Sequence, residues 1–171
     1  MIKTNRVIHK WLSLAVSLPL LIIVVSGILL LTRKEFAFIQ PETQKGIGQV
    51  PSISFEQILA LAKSVKQAQI NSWDAIDRID VRPQKGIVKV RAKSSWEIQI
   101  DSQTGEILLV AYRRSDFIES LHDGTFLHKF ANLWLMLPAA LGLLALIITG
   151  LVLFFWPYYK KRKIRTQSRY F

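Results

Sequence analysis

Three imidazoles are the side chains of this sequence best suited to hold a metal: His9, His122 and His128, each at an end of a long apolar run. A neutral imidazole at a membrane boundary can serve as an axial ligand of a b-type haem. It can equally be an anchor, as His9 beside Lys10 and Trp11 reads, because basic and indole side chains favour the head-group zone. His122 also fits a loop or cap ahead of Asp123-Gly124. His122 and His128 are six residues apart, about 240° around a helix, so they do not share a face. With no cysteine in the chain, disulfides, thioether-linked haem, iron–sulfur clusters and thiolate zinc are excluded. Asp74, Asp77, Asp80, Glu97 and Asp101 lie in a stretch without histidine, which gives no hydrolytic constellation, and Asp77 and Asp80 read as a solvated strand edge. No glycine-rich phosphate loop, metalloprotease pattern or dinucleotide fingerprint is present. Arg113-Arg114, with Trp96 and Tyr112, reads as a cationic, aromatic surface facing lipid phosphates.

The elements that position these histidines are set by two apolar runs. Residues 11–31 carry no charge, and neither do residues 130–159, where Asn132 is the one strongly polar residue. A bilayer core needs about 20 apolar residues in a helix, so both runs predict membrane spans. The first is too long for a signal peptide, and it ends on Thr32-Arg33-Lys34 without a small-residue cleavage site. The net charge of +11 has a positional origin. The acidic residues all lie between Glu35 and Asp123, nearly balanced by basic ones, whereas Lys3, Arg6, Lys10, Lys160, Lys161, Arg162, Lys163, Arg165 and Arg169 crowd the two tails. That bias predicts both termini in the cytoplasm, contact with membrane lipids and no nucleic-acid partner. At about 1.5 Å per residue, His9 stands some 30 Å from the outer end of its helix, so it forms one level and His122 with His128 another.

Between the spans the period changes. Ser54-Phe55-Glu56-Gln57 is a capping box, followed by Phe55, Ile58, Leu59, Ala62 and Val65 at helical spacing. Strands are expected at residues 76–81, 87–91, 96–100 and 107–112, with Gly105 closing a hairpin turn. The expected division is a tail at 1–10, a first span at 11–31, a linker at 32–51, an outer domain at 52–120, a membrane-proximal segment at 121–129, a second span at 130–157 and a basic tail at 158–171. The fold class is therefore an α+β membrane protein, two transmembrane helices flanking a small domain with one helix packed on an antiparallel sheet. Small residues at Ala139, Gly142, Ala145 or Leu146, and Thr149, and at Ser13, Ser17 and Gly27, form seams for close helix approach. Pro19 and Pro138 are expected to kink their helices.

The run Asp101-Ser102-Gln103-Thr104-Gly105-Glu106 resembles the signature hairpin of PepSY domains. Arg6-x-x-His9-x-Trp11, Leu121-His122-Asp123-Gly124 and Thr149-Gly150-Leu151 are similar to motifs of PepSY-associated transmembrane proteins, and together the match spans nearly the whole chain. Larger members of that group have four or more helices and include haem-b ferric-siderophore reductases. The resemblance implies a bacterial inner-membrane protein that binds haem b through His9 and His122, with His128 as a substitute. It also implies a part in moving electrons to an iron–siderophore or other metal complex. Two helices are too few to enclose a porphyrin, so a homodimer or a larger membrane complex is expected. The alternative is a non-catalytic anchored module whose outer domain binds a partner, or an accessory subunit. Whether the chain is an enzyme stays open on this reading.

Overall fold

The computed structural model describes residues 2–47 and 50–167, with side chains through Lys161. Gly48 of the expected linker and the side chains of Arg162, Lys163, Arg165 and Arg169 of the basic tail lie outside the described residues. The chain divides into a helical unit, Met1–Gly27 with Ser120–Phe171, and a second unit, Ile28–Glu119.

In the helical unit, α1 (Ile2–Leu31) runs unbroken through Pro19 and begins well before the apolar run, so the basic segment around Arg6 is helical too. The second span starts as a π-helical turn, Asn132–Met136, and continues as α4 (Leu137–Gln167). Pro138 has no amide hydrogen for an α-helical bond, and the wider π turn accommodates that loss at the helix entrance. Two helices, Ile2–Leu31 and Asn132–Lys161, are long and apolar enough to cross a membrane. Their outward side chains are large and apolar, Leu14, Leu18, Leu21, Leu141, Leu144 and Ile148 among them, as a lipid solvent requires. The small-residue seam is occupied within the chain. A Cβ on Gly142 would stand 2.6 Å from Val16 Cγ1, and Val16 and Ala139 are buried. Gly142 therefore brings α4 onto α1 rather than being free for a second copy.

The second unit is a four-stranded antiparallel sheet in sequential order, β1 (Ile76–Arg82), β2 (Ile87–Ala92), β3 (Trp96–Asp101) and β4 (Ile107–Tyr112). On one face α2 (Phe55–Ser64) and the turn after it bury Ile58, Ala62, Val65, Ala68 and Ile70 against Val88, Val90, Ile98 and Ile100. The capping box forms as the sequence specifies: Ser54 accepts from the Gln57 amide at 3.2 Å, and Gln57 Oε1 accepts from the Ser54 amide at 2.8 Å. Gly105 takes a φ of +75°, so the hairpin turn also matches. A bulge between Ile76 and Arg78 shifts the β1 register, which explains why Ile76 and Ile79 both belong to the core despite their odd spacing.

The opposite face of the sheet departs from expectation. Lys89, Glu97, Gln99 and Asp101 point there and are almost completely buried. The expected linker covers them as a strap. The Gln44 amide donates to Gln99 Oε1, Gln99 Nε2 donates to Glu42 O, and the Ile47 amide donates to Asp101. Gly46 is held so tightly that a Cβ would collide with the Gly86 carbonyl and the Asp101 carboxylate. The sheet is therefore sandwiched, apolar below and polar above, which is how about 80 residues without a disulfide bury both faces of two central strands.

Candidate functional site

The polar layer of the sheet is built around Glu97. Lys89 Nζ donates to Glu97 Oε1 at 2.8 Å, and Arg113 Nη1 donates to Oε2 at 2.7 Å. Burial alone would push the Glu97 carboxyl up, but these two donors outweigh it and hold it below the ordinary carboxylate range. Burial draws Lys89 down, opposed in part by Glu97. Arg113 is 3% exposed and also binds Asp116, so the expected cationic surface at Arg113-Arg114 is corrected. Only Arg114 is on the outside, stacked 4.0 Å above Phe38. A carboxylate this fully paired serves as a structural tie, not as a proton-transfer group.

Asp101, first residue of the hairpin signature, accepts backbone N–H bonds from Gln103 and Thr104 at 2.8 Å and from Ile47. Those donors, Thr104 first, hold its carboxyl at about 2. Because the folded value lies below the ordinary one, the stability it contributes is present above pH about 4 and is lost as pH falls toward 2. Thermal unfolding of the full chain in detergent should show this decline in the parent, with Asp101→Asn starting lower and losing less across the same window. Parallel pH profiles for the two proteins would contradict the assignment.

The histidines occupy two separate places in the helical unit. His9 Nδ1 lies 2.7 Å from Thr149 Oγ1 of α4. The Thr149 hydroxyl hydrogen is already committed to the carbonyls of Ala145 (2.8 Å) and Leu146 (3.1 Å), so Oγ1 can only accept. With that hydrogen on the Ala145 carbonyl, His9 Nδ1 donates to Oγ1. In the neutral ring Nε2 is then left with its lone pair. His122 ends α3 (Arg114–Asp123) and repeats the arrangement against α1. Its Nδ1 is 3.0 Å from the Ile23 carbonyl, which can only accept, and 3.1 Å from Ser26 Oγ. The Ser26 hydroxyl donates to the Ile22 carbonyl at 2.5 Å. His122 also has Nδ1–H fixed and Nε2 free.

Each ring lies over a glycine next to its hydroxyl partner. A Cβ on Gly27 would be 3.2 Å from His122 Cε1, and one on Gly150 would be 3.5 Å from His9 Cε1. Ser26-Gly27 on α1 and Thr149-Gly150 on α4 thus form matching hydroxyl–glycine seats. Counted along α1, the two seats are separated by about 25 Å at 1.5 Å per residue. Gly124 makes the inner approach of His122 possible: its φ of +81° ends α3, a Cβ there would press on Met136, and Asp123 accepts from the Thr125 amide at 2.9 Å. His128 is presented differently. It is exposed, and its Nδ1 accepts from the Phe130 amide at 3.3 Å, so in the neutral ring Nε2 carries the hydrogen. No cluster of three or more metal-ligating side chains occurs among the described residues.

A family model described as the PepSY-associated TM region matches residues 6–170. The chain belongs to this family. No curated protein and no solved structure matches it. As a PepSY-associated membrane protein, the chain uses His9, His122, Gly124, Thr149 and Gly150 of its motifs as one set of packing and hydrogen-bonding positions. Of the Ser26-Gly27 seat, the sequence reading includes Gly27 as a seam residue but not Ser26. Its signal was available as a hydroxyl beside a glycine, the same pair as Thr149-Gly150.

Proposed function

We propose that this PepSY-associated protein is a haem-b component of transmembrane electron transfer. The observation that carries the reading is the paired anchoring: at both seats Nδ1 is hydrogen-bonded to a neighbouring helix, which leaves Nε2 as the free lone pair of the neutral ring when Nδ1 holds the hydrogen. A buried partner on one ring nitrogen is the usual means of orienting an imidazole for iron at the other. The glycine under each ring lets the imidazole lie close against the neighbouring helix. His9 and His122 would hold the haem iron, and the bound haem would supply a one-electron carrier. His128 would hold iron only after giving up its bond from Phe130.

In this reading both termini lie in the cytoplasm of a bacterial inner membrane. Two copies, or one copy within a larger complex, would supply the helices around each haem, and the electrons would pass to an outer metal complex. The Gly142 contact, already used within the chain, leaves the outward apolar faces of α1 and α4 for that association. Difference spectra of the purified full chain, dithionite-reduced minus oxidised, should show a Soret shift and a sharp α-band. A featureless spectrum would favour the anchored, non-catalytic module.

Orientation has its own test. The chain has no cysteine, so single thiols report cleanly. Gln103→Cys, in the exposed hairpin turn, should react with a membrane-impermeant maleimide in spheroplasts, and Lys161→Cys should react only after lysis. The opposite pattern would reverse the topology.

A further inference from the structure

A second charged feature lies within the sheet unit and is independent of the histidines. A cleft of about 650 Å³ is lined by Arg33, Lys34, Arg78, Arg82, Lys85 and Arg91, with Glu42 and Glu119 as its carboxylates. Arg113 lines it too, but Glu97 and Asp116 already take its charge. The remaining cations are poorly matched. The pairs Arg78–Asp77 and Arg82–Asp80 are both at 4.0 Å and open to solvent, where such pairs contribute little. Arg33, Lys34 and Lys85 form no ion pair among the described residues. Arg91 is 9% exposed and reaches Asp80 at 3.1 Å, yet its buried Nε has no hydrogen-bond partner and stands 3.7 Å from Glu97.

Cations gathered in a concave site without matching carboxylates repel one another and gain by taking up an anion. Guanidinium forks meet phosphate oxygens two at a time, and lysines add compact charge. The volume falls within the range of small-molecule sites, about 300–1,000 Å³, so it suits more than a single ion. We infer that this cleft binds a phosphate-bearing ligand. Arg33 and Lys34 come two and three residues after Leu31, the last residue of α1, so the chain leaves that helix through two of the cleft's cations. The phosphate comes either from an anionic phospholipid or from a phosphate ester in solution.

The test uses the full chain in nanodiscs. In the first arm, discs of phosphatidylcholine alone are titrated with inorganic pyrophosphate by calorimetry. In the second, discs of phosphatidylcholine with cardiolipin are analysed by native mass spectrometry for lipid retained on the protein. Saturable pyrophosphate heat assigns the site to soluble phosphates, and retained cardiolipin without that heat assigns it to lipid. The variant Lys34→Gln/Lys85→Gln changes two exposed, unpaired side chains and should weaken whichever binding is seen by about tenfold or more. Arg82→Gln provides an independent second variant, and an unchanged melting temperature verifies the fold of each. Binding in neither arm, or equal binding by parent and both variants, overturns the inference.

Discussion

Replacing Glu97 with alanine should unfold the sheet unit at temperatures where the parent is intact. The carboxylate is fully buried, and it is the shared partner of Lys89 and Arg113, themselves 1% and 3% exposed. Removing it leaves Arg113 with Asp116 and Arg91 with Asp80, but Lys89 with no anion at all. Breaking a buried pair in this way typically costs about 3–5 kcal/mol, because the orphaned charge stays desolvated. For a domain of this size about 1 kcal/mol moves the midpoint by 4–8 °C, so a fall of more than about 10 °C is expected. Lys89→Met should cost less, since Arg113 still satisfies Glu97 and the methionine fills the same space. Thermal unfolding of the full-length variants followed by circular dichroism gives both values. A Glu97→Ala midpoint within about 2 °C of the parent would mean that water reaches the layer and that it is not a buried network.

The second large effect falls on the histidines. His9→Ala should abolish the haem at one seat and leave the other, and His122→Ala should do the reverse, because about 25 Å of helix separates them. The sharper variant is Thr149→Val, which keeps the shape but removes the acceptor that fixes His9 Nδ1–H. Loss of such a supporting partner usually costs about 10–100-fold in metal affinity. Haem retention on dilution should therefore drop in Thr149→Val with His9 itself untouched. Were His9 only an interfacial anchor, Thr149→Val would leave the spectrum as it was.

Much of this architecture was legible in the residues. The capping box at Ser54, the period-two runs of β2 and β3, and Gly105 each specify a local conformation, and local rules suffice for them. The strap was not legible. Residues 36–47 contain proline and glycine and lack periodicity, so they read as a linker, while their partners, Gln99 and Asp101, stand at alternating strand positions that look solvent-facing. A polar layer buried under a strap carries the same pattern as a wet sheet face. Likewise Arg113 looked like a surface cation because its partner, Glu97, is a neighbour only through the β3–β4 pairing. The histidine seats join residues 140 and 96 positions apart, His9 to Thr149 and His122 to Ser26. The motifs identified His9, His122 and Thr149 separately, but their pairing arises only where α1 meets α4 and the end of α3 in the folded chain.

Haem bound at His9 and His122 is decided by the haem content of the purified protein. Pyridine haemochrome assays should be run on the parent and on the His9→Ala/His122→Ala double variant, prepared side by side from cells supplied with haem. The two-seat reading predicts b-type haem in the parent and none in the double variant, although His128 is intact. A haem-free parent, or a double variant with the parent's haem content, would contradict it.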